Sequence, residues 1–536
     1  MKRREALDKI KLKFPYPAAR EGQLELILDI MKAYASGKKY VIVSAPTGVG
    51  KSVIGYTLMN ILKSGYVLTS QKVLQEQYYN DFKIPFVLGR SNYDCLRAPS
   101  AKCNTGLCGG KTSKCCKDRA GNVICPYLSQ KINCLSSKFS NLNYAYFLAL
   151  SKAGSDDSPS ALAKRELIVC DEAHSLEKEL LNVYSLRVND ILLKFIGAEG
   201  LTVPRVIESD SKMIEWAIRG LNEGATRAFA WLDGRIAKLS SKMKMTREYK
   251  SYMQKRQAAD EICEKTKLLK ELYEKNEKIV VSIENDTLVL TPLKCNTLFQ
   301  KMLDPLGERF LMMSATILDP KEFIKTLGLD EKLCEVISID SPFPVENRLV
   351  EFCPVGSMSM KNKDATIPKL IKKVDEILKA NPDVKGIIHT VNYEIASKIV
   401  DGLMFSDQAK RLLLPKGQDK QLILNGFYES SEPYVLVSPS LTEGIDLKDD
   451  LSRLCIICKV PYPSLGDKWT KERMEDDNEW YTSQTCTTLV QMTGRSIRSK
   501  EDYAKSYILD SDFERLAAKA IDIFPSWWKD SIITRS

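Results

Sequence analysis

Histidine is nearly missing from this 536-residue chain, which holds only His174 and His389. Neither falls in the cysteine-rich stretch, so a mixed cysteine and histidine zinc site is excluded there. No apolar run approaches the ~18 residues a membrane span requires, and the opening Met1-Lys-Arg-Arg-Glu lacks the apolar core of a signal peptide, so neither membrane insertion nor secretion is expected. Internal repeats and low-complexity tracts are absent as well. Proline does not occur between Pro204 and Pro292. That stretch can therefore run as uninterrupted helix.

What is present is the composition of a soluble globular protein, with 44% hydrophobic and 28% charged residues. At about 150 residues per domain the length suggests three or four domains. Fifteen cysteines, an odd number in a chain expected to stay in a reducing compartment, argue against a disulfide framework. Seven of them crowd between Cys95 and Cys134. From Arg90 to Lys138 nine Lys or Arg face two Asp and no Glu, so much of the net charge of +10 gathers on the same segment. A polyanion fits such a patch, because neutralised phosphates release counterions. A solvated basic surface is the plainer alternative.

The cysteines sit between two halves of a nucleotide site. Tyr40-Val-Ile-Val-Ser44 reads as a buried parallel strand and Ser52 to Lys63 as a helix, joined by the loop Ala45-Pro-Thr-Gly-Val-Gly-Lys-Ser52. In this loop Thr47, Gly48, Val49 and Gly50 bring backbone N–H groups to phosphates, Lys51 adds a positive charge, and the Ser52 hydroxyl can ligate Mg2+. Ala45 replaces the usual first glycine. The second half is Leu167-Ile-Val-Cys170, a strand ending in Asp171-Glu172. Asp171 is expected to hold magnesium and Glu172 to act as general base on the attacking water. His174 is expected to couple nucleotide state to nearby loops. Upstream, Arg20 and Gln23 are placed to read an adenine edge or, equally, to cap a helix.

Beyond Met313-Ser-Ala-Thr316, strand candidates at Gly386–His389, Tyr434–Ser438, Leu454–Cys458 and Tyr507–Asp510 alternate with helix-compatible stretches, the pattern of a second parallel sheet. Two loops there carry chemical residues. One holds Gly444 and Asp446, expected against the nucleotide. The other, from Gln491 to Arg498, sets Arg495 and Arg498 three apart on one helical face, where they can meet phosphates held by the first lobe. Surface ion pairing is the plainer use of two such arginines.

In their order along the chain, Gln23, the phosphate loop, Thr69-Ser-Gln71, Asp171-Glu-Ala-His174, Ser314-Ala-Thr316, the Gly444/Asp446 loop and Gln491 to Arg498 resemble the iron-sulfur branch of superfamily 2 helicases that includes XPD and DinG. Gly89-Arg-Ser-Asn-Tyr-Asp-Cys95 is similar to that branch's approach to its first cluster ligand, and Cys125-Pro-Tyr-Leu-Ser-Gln-Lys131 to its exit from the last. The resemblance implies an α/β fold of two recA-like parallel-sheet lobes with an inserted iron-sulfur domain and an inserted helical arch. The expected divisions are lobe one at 1–89, 139–184 and 285–322, the cluster domain at 90–138, the arch at 185–284, and lobe two at 323–536.

It also implies ATP-driven translocation on single-stranded DNA, 5′ to 3′, and duplex unwinding by a monomer with ATP, Mg2+ and a 4Fe-4S cluster. Forked DNA is the implied substrate, in the cytoplasm or nucleoid, or in the nucleus of a eukaryote. By similarity of spacing the cluster ligands are Cys95, Cys103, Cys108 and Cys125. Cys115 or Cys116 can replace Cys103 or Cys108, and Cys134 is expected to pack as a small hydrophobe. Zinc on four cysteines is the rival metal. Either would stabilise a segment too poor in apolar residues to fold unaided.

Rival functions are an RNA helicase and a metal-stapled nucleic-acid-binding ATP switch without unwinding. A fused nuclease is not expected with so few residues ahead of the phosphate loop. From 185 to 284 Ile262, Leu269, Leu272 and Tyr273 recur at helical spacing, which reads as scaffold. Two short runs around Glu284-Asn-Asp286 read as a hairpin.

Overall fold

The computed structural model describes residues 3–46, 48–97, 101–104, 106, 116–118, 120–151, 162–198, 200–239, 247–341, 343–439, 449–494 and 502–534. Thr47, Cys108, Cys115, Gly444, Asp446, Arg495 and Arg498 lie outside them.

Strands β1 Tyr40–Ser44, β2 Gly65–Thr69, β3 Phe139–Asn143 and β4 Arg165–Asp171 are followed by β5 Leu186–Val188, β6 Ile279–Glu284 and β7 Thr287–Pro292. Next come β8 Gly307–Ser314, β9 Cys334–Ser338, β10 Val350–Gly356, β11 Gly386–His389 and β12 Leu412–Leu413. The last are β13 Val435–Ser438, β14 Leu454–Ile457, β15 Lys505–Asp510 and β16 Ile532–Thr534. One parallel sheet runs β3-β2-β4-β8-β1-β9 and a second runs β12-β13-β11-β14-β15-β10-β16.

Both sheets are covered on both faces, which is why their strands read as continuous apolar runs. Along β1, Tyr40 and Ile42 enter one core while Val41 and Val43 enter the other. Ile387 and Ile388 of β11 divide in the same way between the two cores of the second lobe. The strand ends at Ser44, Asp171 and Ser314 lie together because β4, β8 and β1 are successive neighbours in register.

Two expected boundaries move. β9 pairs with β1 from Tyr40↔Cys334 to Ser44↔Ser338, so the first lobe extends past 322. β6 and β7 pair as a hairpin and β5 joins them in a small sheet, so the insertion closes at Pro292 and not at 284. The hairpin turns on Asn285 and Asp286, both at positive φ (46° and 60°), the backbone a two-residue turn between twisted strands requires. Between these strands run the helices Asp190–Ile196, Asp210–Trp216, Asn222–Lys238 and Arg247–Glu274. Their apolar residues, Leu193, Ile262, Leu269 and Leu272 among them, continue the core on one face of the first sheet.

Candidate active site and lobe interface

The phosphate loop links β1 to the helix Lys51–Leu62. Gly50 has φ +83°, and a Cβ there would lie 2.3 Å from Gln23 Nε2. Glycine is therefore required for both conformation and space. Gln23 Nε2 donates to the Val49 carbonyl at 2.7 Å, Gln23 Oε1 accepts from the Arg20 N–H at 2.8 Å, and the Arg20 guanidinium donates to the Gly48 carbonyl. Of the two roles left open for these residues, the geometry displays a fastening one: they tie the loop to the helix Gln23–Ala35. Lys51 Nζ donates to the carbonyls of Ala45 and Pro46 at 3.1 and 3.4 Å, across the cradle a nucleotide's phosphates would fill.

Asp171 ends β4, buried, and accepts the Tyr78 hydroxyl proton on Oδ2 at 2.9 Å. The same hydroxyl contacts Ser52, so one phenol touches both candidate magnesium ligands. Tyr78, in the helix Lys72–Phe82, escaped the sequence reading because no motif spacing marks it. Burial and then the neighbouring Glu172 charge raise the Asp171 carboxyl, against the pull of Lys51. Burial would also raise Glu172, but hydrogen bonding to His174, the Lys51 charge and the Ser314 hydroxyl outweigh it and hold that carboxyl below its ordinary range. The two adjacent acids are thus pushed apart, Asp171 upward and Glu172 downward. Tyr78→Phe is expected to raise the Mg2+ concentration that half-saturates ATP turnover about fivefold, for the loss of about 1 kcal/mol of orienting hydrogen bond. A titration of turnover against Mg2+ checks it, and an unchanged midpoint removes the orienting role.

From Glu172 a hydrogen-bonded chain crosses to the second lobe. Gln491 Nε2, near the end of the helix Asn478–Thr493, donates to Thr316 Oγ1 at 3.1 Å; Thr316 Oγ1 lies 3.2 Å from Ser314 Oγ; and Ser314 Oγ donates to Glu172 Oε2 at 3.1 Å. The amide can only donate and the carboxylate only accept, so Thr316 passes its proton toward Ser314. Ser314 has spent its single proton on Glu172, so His174 Nδ1, 2.8 Å from Ser314 Oγ and 3.3 Å from Glu172 Oε2, carries a hydrogen. Glu172 itself has φ +51°, a left-handed conformation unusual for a residue with a side chain.

A second interlobe contact lies about Arg473, on the helix Lys468–Asp476, whose side chain is 2% exposed. Its guanidinium meets Glu177 and Glu322 of the first lobe, each at 3.6 Å, and its own neighbours Asp476 and Asp477 at 3.6 and 3.5 Å. Lys325 adds a second cation 2.5 Å from Asp477. The same helix grips the insertion: Lys468 Nζ donates to Asp210 and to the Val281 carbonyl, both at 2.8 Å, and Trp469 Nε1 donates to the Pro292 carbonyl at 2.9 Å. A cavity of about 510 Å³, lined by residues including His174, Lys178, Trp469 and Gln491, separates this clasp from the hydrogen-bonded chain.

In the cysteine segment Cys103 Sγ lies 3.9 Å from Cys125 Sγ. A Cβ on Gly106 would lie 2.8 Å from Cys95 Sγ, so the chain folds closely over that sulfur. Burial, then Cys125 and Cys95, push the Cys103 thiol up to about 12. An ionised Cys103, buried beside two other sulfurs, needs a cation's charge, and with Cys125 and Cys95 next to it the three cysteines fit a thiolate-bound metal. Cys116 is buried and its carbonyl accepts the Ile124 N–H at 2.8 Å. Cys134 is fully buried in the helix Pro126–Ser136, its thiol donating to the Pro85 carbonyl at 3.2 Å.

A phosphate loop, an acidic pair on a neighbouring strand end and a second parallel-sheet lobe joined to that pair by hydrogen bonds define a two-lobe ATPase. Residues 17–199 match the family model described as type III restriction enzyme, res subunit, and residues 375–531 match the helicase C-terminal domain. A relative in Methanocaldococcus jannaschii named as a probable ATP-dependent helicase is 22% identical, with 94% of this chain and 93% of that protein covered. The ATP-dependent DNA helicase YoaA of Haemophilus influenzae is 21% identical over 92% of this chain and 91% of its own. In fold the chain is similar to an XPD helicase structure, with a TM-score of 0.62 and 17% identity over 97% of this chain and 100% of the other. An XPD structure from S. tokodaii gives 0.58, 17%, 96% and 100%. Together the two domain matches, the helicase relatives along nearly the whole chain and the XPD-like fold support an XPD/DinG-like helicase of superfamily 2 and an ATP-hydrolysing enzyme. Among the described residues no helix is long and apolar enough to cross a membrane.

Proposed function

We propose that the chain is an ATP-driven motor that moves 5′ to 3′ along single-stranded DNA and unwinds forked duplexes as a monomer. The observation that carries this reading is the run Glu172, Ser314, Thr316, Gln491, because a carboxylate able to accept the attacking water's proton is wired to the other lobe. Names of relatives such as YoaA support DNA as the track. In this reading Thr47 to Ser52 cradle the phosphates, and Ser52 and Asp171 hold Mg2+, which neutralises phosphate charge when bound. Glu172 takes the proton of water. Arg495 and Arg498, with Gly444 and Asp446, complete the nucleotide site from the second lobe, and Arg20 and Gln23 set the loop beneath the adenine.

Cys95, Cys103 and Cys125, with Cys108 as the fourth, hold a 4Fe-4S cluster that staples the basic segment into a rigid wedge. The domain divisions are those expected from sequence, with the two boundaries moved as described. Unwinding of paired 5′-tailed and 3′-tailed duplexes, with iron and zinc analysis of the same preparation, tests the whole. Separation of the 5′-tailed substrate alone, by a protein holding about four irons with broad visible absorbance, is the expected result. Turnover stimulated by RNA and not by DNA, or stoichiometric zinc in a colourless protein, overturns the corresponding part. Cys103→Ser is expected to lose the iron and most unwinding while retaining ATP turnover.

A further inference from the structure

The helical insertion carries a surface that neither the nucleotide site nor the lobe interface uses. On it three aromatic rings alternate with two cations. Lys255 Nζ lies 5.9 Å from the centre of the Phe195 ring, and Tyr252 sits one turn before Lys255 on the same helix. Tyr252 meets Trp231 edge to face, centroids 6.1 Å apart. Arg235, one turn beyond Trp231, places its guanidinium 5.8 Å from the Trp231 ring and 5.7 Å from the Tyr252 ring. Trp231 is 57% exposed and Phe195 37%, so the rings are open to solvent and do not fill the core.

The acids nearby are few. Glu248 accepts the Tyr252 hydroxyl proton at 2.9 Å, and Asp233 is taken up by Arg256 Nε at 2.6 Å. Among the described residues neither Arg235 nor Lys255 forms an ion pair; Arg235 donates to the Tyr252 hydroxyl at 3.3 Å and lies near the Trp231 ring, and Lys255 lies over the Phe195 ring. An acidic protein segment would satisfy the cations but leave the rings unused. Nucleic acid bases have flat faces that stack on aromatic rings whatever their sequence, and their phosphates fall beside the cations.

We propose that Trp231, Tyr252 and Phe195, interleaved with Arg235 and Lys255, form a second contact for single-stranded nucleic acid, outside the seam between the lobes. Bases stack on Trp231 and Tyr252 while phosphates meet Arg235 and Lys255, so the insertion holds a length of strand that the motor itself does not touch. The inference rests on the reading of the chain as a motor on DNA.

The test compares two oligothymidylates: a short one, just long enough to stimulate ATP turnover fully, and one several times longer. For the double variant Trp231→Ala/Tyr252→Ala, affinity for the long strand is expected to fall about tenfold, with the short-strand affinity and saturated turnover unchanged. Trp231→Phe, which keeps a ring, is expected to restore most of the loss. Arg235→Gln/Lys255→Gln is expected to flatten the salt dependence of long-strand binding by about 1.4 in log–log slope. Equal affinity of parent and double variant for the long strand, at unchanged melting temperature, overturns the proposal. So does an equal loss for short and long strands, or a parent that gains nothing from added length. Competition by polyglutamate as effective as that by oligothymidylate reassigns the stripe to an acidic protein and overturns it too. If DNA fails to stimulate turnover and RNA succeeds, the track reading fails by itself, and oligouridylates of both lengths then decide the stripe.

Discussion

Changing Glu172 to Gln is expected to lower strand-stimulated ATP turnover by about 10²–10⁴-fold while leaving nucleotide and strand affinity within a few-fold. The amide keeps the shape and can still accept the Ser314 hydrogen bond, but it cannot take a proton from water. Asp171, raised partly by its ionised neighbour, loses that repulsion in the variant and moves down, so Mg2+ binding is not weakened. Steady-state turnover measured beside equilibrium binding of a nucleotide analogue separates the two quantities. Turnover within tenfold of the parent would remove Glu172 as the base.

The second large effect is expected at Arg473. Methionine there retains an apolar stem but leaves Glu177, Glu322 and Asp477 facing one another across the lobe interface with Lys325 as the remaining cation. Breaking a buried charge cluster from one side costs about 3–5 kcal/mol, far more than an exposed ion pair is worth. The sign of its pH dependence follows from burial. Burial already raises Glu177 and Glu322, against the pull of Arg473 on the former and of Lys325 on the latter, while Lys325 and Arg473 hold Asp477 below its ordinary range against burial; loss of the guanidinium moves all three upward. Groups with folded pKa above the unfolded value bind protons on folding, so the variant's deficit is largest at neutral pH and narrows as pH falls toward the raised values. Melting curves of parent and variant at neutral and mildly acidic pH check this. A deficit that is small or independent of pH would show that the cluster does not carry the interface.

Much of this was legible in the chain because the chemistry at strand ends depends on local spacing. β1 with its glycine loop announces itself in thirteen residues, Tyr40 to Ser52, and β4 with Asp171-Glu172 in eight. The hairpin at Asn285-Asp286 was equally local. Arg473 was not, because Lys468-Trp-Thr-Lys-Glu-Arg-Met-Glu-Asp-Asp477 reads as a solvated charged helix, and only contact with Glu177 and Glu322, far away in sequence, turns its arginine inward. Tyr78 was hidden for the same reason: its value lies in touching Ser52 and Asp171, which belong to different elements. β9 joins the first sheet although it lies in the stretch expected for the second lobe, because a short strand carries no label saying which sheet it will join. The exposed rings of the insertion went unread because apolar periodicity explains a helix's inward face and says nothing of which outward residues come together from separate helices.

The grip of the helix Lys468–Asp476 on Asp210, Val281, Pro292 and Glu177 resembles the binding of a book. Pages fastened along one margin cannot slide past each other; they can only fan. If the lobes turn about this margin, residues beside Trp469 move least, and the second sheet moves more the farther a strand lies from it.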